Sequence, residues 1–156
     1  TSNEIGGALM SMFQGFNINA SGLTAQRFRT DVISENIANV KTTRTQDGTP
    51  YRRQIVTFAE KDVTSFSNVL QNTRNAAIGN GVKVYSLTED TESDFIQTYD
   101  PSHPDADVNG YVSYPNVNIV TEMTNLIDAS RSYEANATAF EASKGMMTTG
   151  LQLGKG

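Results

Sequence analysis

Cysteine and tryptophan are absent from this chain, histidine occurs once, and there are only four prolines in 156 residues. Without cysteine there are no disulfides, thiolate zinc sites or cysteine nucleophiles. No run approaches the ~18 consecutive apolar residues of a membrane-spanning helix, so membrane insertion is not expected. Thr1 to Gly7 carry neither a basic n-region nor an apolar h-region, so a cleaved secretory signal is not expected either. Basic residues form no stripe, which sets nucleic acid aside as a partner. A hydrophobic content of 37% and a mean hydropathy of −0.41 make the chain polar for a globular domain. A compact chain of this length buries about 70% of its unfolded surface. This one is short of the large apolar residues for that, and its ends would gain stability from neighbours.

What is present is unevenly placed. The net charge is −5, yet residues 1–43 hold three acidic and three basic groups, and residues 116–156 hold four and three. The middle, with ten acidic and six basic groups, supplies most of the net charge. Near-neutral ends suit burial in an assembly, because like charges are not forced together there.

Both ends read as helix. From Ile119 onward apolar residues recur with 4-3 spacing through Met123, Leu126, Ser130, Tyr133, Ala137, Phe140, Lys144, Met147 and Leu151, interrupted only by the serine and the lysine. A 3.5-residue period held over four heptads is a coiled-coil signal. The spacing predicts a helix from shortly after Pro115 to about Leu151, with last turns softened by Gly145, Gly150, Gly154 and Gly156. The first helix is expected to start between Leu9 and Ser21, because Gly15 and Gly22 each cost ~1 kcal/mol in a helix interior, and to end near Val40. On it Leu23, Ile33, Ile37 and Val40 gather on one side and Ala25, Phe28 and Val32 on another. A helix apolar on two sides is normally surrounded by partners. The second side is expected to be covered by another subunit.

The middle is punctuated differently. Asp47-Gly48-Thr49-Pro50 is a turn signal. Tyr51 to Phe58 reads as a strand, as do Val82 to Leu87 and Phe95 to Tyr99, while residues 59–80 read mostly as loop. Two or three short strands make a small sheet that is marginal alone. The expected fold is mainly α: paired long N- and C-terminal helices, coiled-coil-like, plus a small irregular β domain. Its parts are an N-terminal helical assembly segment (1–43), a β-rich outer domain (44–115) and a C-terminal helical assembly segment (116–156) that pairs with the first.

Little here points to catalysis or to a cofactor. Ser102, His103 and Asp105 contain the three residue types of a hydrolase triad. Packed into four positions of a Pro-flanked loop they cannot converge as a triad does, since triads are assembled from distant segments. The same loop reads as a rigid surface turn. Asp105-Ala106-Asp107-Val108-Asn109-Gly110 fits the first half of a calcium loop. The position that needs a bidentate Glu is Asn116, so a tight Asp/Asn/Gly turn is expected and no metal or cofactor site. A calcium-dependent secreted binding module built on Asp105, Asp107 and Asn109 is the alternative from another functional class. Glu89 to Asp107 holds seven acidic residues and no Lys or Arg, read as a solvated loop or a contact for a basic partner.

Four separated segments carry a family resemblance. Ser21-Gly22-Leu23-Thr24-Ala25-Gln26-Arg27 with Ser34-Glu35-Asn36-Ile37-Ala38-Asn39-Val40 resembles the N-terminal signature of the bacterial flagellar rod and hook axial-protein family. Asn118 to Met123 with Ala129-Ser130-Arg131-Ser132-Tyr133-Glu134-Ala135-Asn136 resembles its C-terminal signature. Gly48 to Arg53, and Tyr99 through Val117, are similar to its proximal rod branch. The resemblance implies a structural subunit, not an enzyme, in the periplasm-spanning rod of the flagellar basal body. It further implies terminal helices that form an inner tube, a middle that forms an outer domain, and torque carried through a helical assembly. The partners it implies are copies of the same chain, other flagellar rod subunits and the flagellar type III export apparatus, which passes subunits without a cleaved signal. Another rod or hook subunit of the same family remains an alternative. The assembly residues expected are Leu23, Phe28, Val32, Ile33, Ile37 and Val40 on the first helix. On the second they are Ile119, Met123, Leu126, Tyr133, Ala137, Phe140, Met147 and Leu151.

Overall fold

In the computed structural model, which describes residues 2–61 and 79–153, the chain runs α1 (Ser2–Ala38), β1 (Gln54–Glu60), β2 (Val82–Glu89), β3 (Ile96–Tyr99), β4 (Tyr111–Tyr114) and α2 (Ile119–Leu153). Two long helices thus enclose, in chain order, two two-stranded sheets, β1 with β2 and β3 with β4. No described helix is long and apolar enough to cross a membrane.

α1 begins at Ser2, earlier than the glycines suggest. Nucleation is the costly step of helix formation, and each added residue then gains a hydrogen bond. A helix already fixed over Leu23–Ala38 therefore extends through isolated glycines at modest cost. Ser21 lies inside the helix: its hydroxyl donates to Ile18 O (2.7 Å) and accepts the Val82 N–H (3.0 Å), anchoring the start of β2. α1 ends in a polar turn, where Asn39 Nδ2 donates to Glu35 O (3.0 Å) and the Thr42 hydroxyl to Asn39 Oδ1 (3.1 Å). The Asp47-Gly48 turn forms as expected, with Gly48 at φ 77° and Thr45 N–H bonded to Thr49 O (2.8 Å).

α2 is capped by Asn118, whose Oδ1 accepts the Val120 and Thr121 amides (3.0 and 3.3 Å). A side-chain oxygen there satisfies donors that the first helical turn leaves unpaired. The helix passes through Gly145 and Gly150 to Leu153; the expected softening at Gly154 and Gly156 lies outside the described residues. At 1.5 Å per residue its 35 residues span ~50 Å.

In the middle, the first strand is shifted to Gln54–Glu60, and the chain leading into it, Tyr51 to Gln54, is a crossing segment held by side chains of other elements. β4 is a fourth strand that the sequence reading did not separate from the loop. It pairs antiparallel with β3 in the register Ile96↔Tyr114, Gln97↔Ser113, Thr98↔Val112, Tyr99↔Tyr111. Most of the loop read over 59–80, residues 62–78, lies outside the described residues.

Contacts divide the chain into two compact units. The first comprises Thr1–Arg27, Phe58–Tyr85 and Ser130–Gly156; the second comprises Phe28–Thr57 and Ser86–Ala129. In the first, the Phe16 ring lies edge-on to Phe140 at 4.9 Å. There too a Cβ on Gly22 would come within 2.7 Å of Asn136 Oδ1, so Gly22 leaves room for the Asn136 side chain, which alanine would make shift. In the second, buried apolar residues are few, among them Val32, Ile33, Val112, Val117 and Ala129.

Candidate assembly interface

The second unit buries two polar side chains among the described residues. Asn36 of α1 and Glu122 in the first turn of α2 are each only 1% exposed. Asn36 Oδ1 accepts the Tyr51 hydroxyl (2.8 Å) and the Gln54 N–H (2.9 Å). Its Nδ2 donates to Gln54 O (2.9 Å) and to Glu122 Oε2 (3.2 Å). Glu122 Oε1 receives Arg53 through Nε and Nη2, both at 2.8 Å. One asparagine thus acts on backbone and side chain of the crossing segment at once and joins it to the C-terminal helix. A buried carboxylate persists only when its lone pairs are met by donors, and here three N–H groups meet them.

The network continues outward. Arg53 N–H donates to Asn116 Oδ1 (2.9 Å), and Asn116 Nδ2 donates to Asp90 O (3.1 Å) and Ser93 O (3.3 Å). Arg52 donates to Asp90 O (3.0 Å), and its guanidinium carbon lies 4.4 Å from the Phe95 ring centroid, a cation–π contact. Burial first, then the negative charges of Glu35, Glu122 and Glu89, push the Tyr51 hydroxyl up to about 12. It therefore stays a protonated donor to Asn36 throughout the neutral range. Ser93, through its N–H and then its hydroxyl, holds the Asp90 carboxyl below the usual carboxylate range.

The loop between β3 and β4 is a built turn. Asp107 Oδ1 accepts the Asn109 and Tyr111 amides, both at 2.8 Å, while Asp105 Oδ2 accepts the Thr43 hydroxyl (2.9 Å) and its Oδ1 lies 3.5 Å from Arg44 Nε. The two carboxylates of the calcium half-motif are thus engaged with protein donors. His103 Nδ1 accepts the Asp105 N–H (3.1 Å), a local turn contact. The adjoining groove of about 270 Å³, lined by Thr43, Arg44, Pro104 and Tyr111 among others, falls just short of the ~300–1,000 Å³ of small-molecule sites.

The expected assembly residues divide into three groups. Val32 and Ile33, one from each apolar side of α1, are both buried within this chain, whereas Leu23, Phe28, Ile37 and Val40 are half-buried. The chain itself therefore covers both sides at that level, where Asn36 is gripped by the crossing segment and by α2. On α2, Leu126, Ala137, Phe140 and Met147 are half-buried, while Ile119, Met123, Tyr133 and Leu151 are exposed. The buried positions of α2, Glu122 and Ala129, fall off the 4-3 series altogether. Large apolar side chains outside the series, Val120, Ile127 and Met146, are exposed as well. Period alone located an apolar surface without identifying which part of it the chain buries. The hub residues Asn36 and Glu122 were missed as a pair; only their place within the two family signatures drew attention to them.

Comparison with known proteins matches residues 16–45 to the family described as "Flagella basal body rod protein". Residues 108–153 match the family described as "Flagellar basal body rod FlgEFG protein C-terminal". The flagellar basal-body rod protein FlgC of Bacillus subtilis is 47% identical over 152 residues, covering 94% of this chain and all of that protein. FlgC of Borreliella burgdorferi is 46% identical over 153 residues, and FlgC of Salmonella typhimurium 38% over 146, with the same coverage. On full-length identity at this level, the chain belongs to the FlgC family of flagellar basal-body rod proteins.

Proposed function

We propose that this chain is a structural subunit of the proximal flagellar rod and assembles helically through its terminal helices. The observation that carries the reading is the row of large apolar side chains left in water along α2. Met123 is 51% exposed and Ile127 53%, while the buried positions beside them are an alanine and a hydrogen-bonded carboxylate. An apolar surface of this kind marks an interaction site. Head-to-tail contacts repeated around an axis build open helical arrays, as a rod requires.

In this reading Ile119, Met123, Tyr133 and Leu151 meet neighbouring subunits, and Leu23, Phe28, Ile37 and Val40 complete their burial there. Val32 and Ile33 support the surface from inside. The terminal helices pair, the strands between them form an outer part, and torque passes through packed helix contacts. Neighbours are further copies of the chain and other rod subunits, reached after export through the flagellar type III apparatus.

Deleting the gene should abolish motility and leave basal bodies without a rod, and supplying the chain should restore both. Motile cells with complete rods in the deletion strain would refute the assignment.

A further inference from the structure

The polar cluster at Asn36 and Glu122 sits where an apolar cluster would join the same elements without removing a charge from water. Replacing a buried ion pair by well-packed apolar residues is often neutral or stabilising, so a buried pair is weak evidence of a stability role. The surrounding helix positions do little to fix an alignment. On the helices of the second unit the buried apolar side chains are Val32, Ile33 and Ala129, none of them a large knob for a unique hole. One helical turn before Asn36 stand Val32 and Ile33, neither of which can donate to a carboxylate, and α1 ends at Ala38, before the following turn is complete.

We infer that the Asn36–Glu122–Arg53 cluster is a register device. It selects one alignment of the terminal helices by making alignments one turn away bury the Glu122 carboxylate without Asn36. Breaking a buried pair by removing one partner suppresses such a state by roughly a hundred- to a few-thousandfold. Arg53 reports to the same carboxylate through two nitrogens, so the crossing segment Tyr51 to Gln54 is fixed along with the helices. The inference rests on the rod-subunit reading in one respect: alignment matters because Ile119 and Met123, which flank Glu122, must be presented to neighbours in a fixed position.

The lack of native cysteine makes a direct test available on the purified full chain. Gly22→Cys with Asn136→Cys reports the native alignment, since a Cβ on Gly22 lies 3.0 Å from Asn136 Cγ. Gly22→Cys with Ser132→Cys or with Phe140→Cys, each in an Asn136→Ala background, reports a slip of one turn. With the cluster intact, only the native pair should oxidise readily.

Arg53→Met combined with Glu122→Met removes the charges and leaves Asn36 its bonds to Tyr51 and Gln54. This variant should melt at the same temperature or higher, and its slipped pairs should oxidise to within about tenfold of the native pair, the suppression having gone. Arg53→Lys, which keeps a cationic donor for the Glu122 carboxylate and leaves Asn36 in place, should retain the single alignment. A Met/Met variant that melts clearly lower, or that still forms the native pair alone, overturns the inference, as does slippage in Arg53→Lys. Absence of the wild-type chain from isolated basal bodies would count against the rod reading while leaving the disulfide result intact.

Discussion

Removing the Asn36 side chain is the most informative single perturbation of this fold. Asn36→Ala deletes four hydrogen bonds at once and strands the Tyr51 hydroxyl, the Gln54 N–H and C=O, and one oxygen of Glu122. A buried polar group left without its partner costs about 1–3 kcal/mol. The four losses share one network and one small cavity, so they do not add. A net loss of about 3–5 kcal/mol is expected, a large part of the ~5–15 kcal/mol available to a domain. At about 2–4 °C per kcal/mol for a chain of this size, the melting temperature should fall by about 10 °C. Thermal unfolding of the purified monomer, followed by circular dichroism, measures this. Asn36→Ala breaks partners apart, whereas the Arg53/Glu122 double replacement exchanges both. A melting temperature within about 2 °C of wild type would refute the account of Asn36 as the joint between α1, the crossing segment and α2.

Three further outcomes are expected. Met123→Asp should leave the monomer's melting unchanged, because the side chain is half in water, yet prevent incorporation into the rod and hence motility; normal motility at normal protein levels would contradict the assembly surface. Gly110→Ala should destabilise the second unit by about 1–3 kcal/mol: Gly110 has φ 83°, and an added Cβ would lie 3.0 Å from Tyr99 Cε2 and 3.1 Å from Pro101 Cβ, so an unchanged denaturant midpoint would be the contrary result. The third concerns alkaline pH. Unfolded tyrosine titrates near ~10, while Tyr51 in the fold is held up to about 12, so the fold favours the neutral phenol. Its contribution is fully present below pH ~10 and is lost as pH rises from about 10 to about 12, by up to roughly 2–3 kcal/mol. Tyr51→Phe should remove that part of the alkaline loss, and an identical slope in the variant would contradict it.

The parts of this fold that depend on repetition were legible in the sequence. The 4-3 series from Ile119 to Leu151 located α2 to within two residues at its C-terminal end, and Asp47-Gly48 marked a real turn. Features set by tertiary context were not. Local glycine penalties put the start of α1 too late, because they leave out the advantage of extending an existing helix. β4 has no signal of its own in the sequence, because Tyr111 to Tyr114 is only four residues long and takes its identity from pairing with β3.

The buried face of α2 was hidden for a deeper reason. Apolar periodicity assumes that the residues a helix buries are apolar, whereas Glu122 is buried because Asn36 and Arg53 supply its donors from 86 and 69 residues away. Likewise, the second apolar side of α1, with Ala25, Phe28 and Val32, reads in the sequence as a surface for another subunit. Val32 and Ile33 are instead covered inside the chain, where the middle returns to grip Asn36.

A subunit-resolved reconstruction of the isolated basal body tests the central claim most directly. It should find this chain in the proximal rod with Ile119, Met123, Tyr133 and Leu151 covered by neighbouring chains and with Asn36 still bonded to Glu122. The chain in the rod with those four side chains facing water would contradict the account, and so would a rod from which the chain is missing.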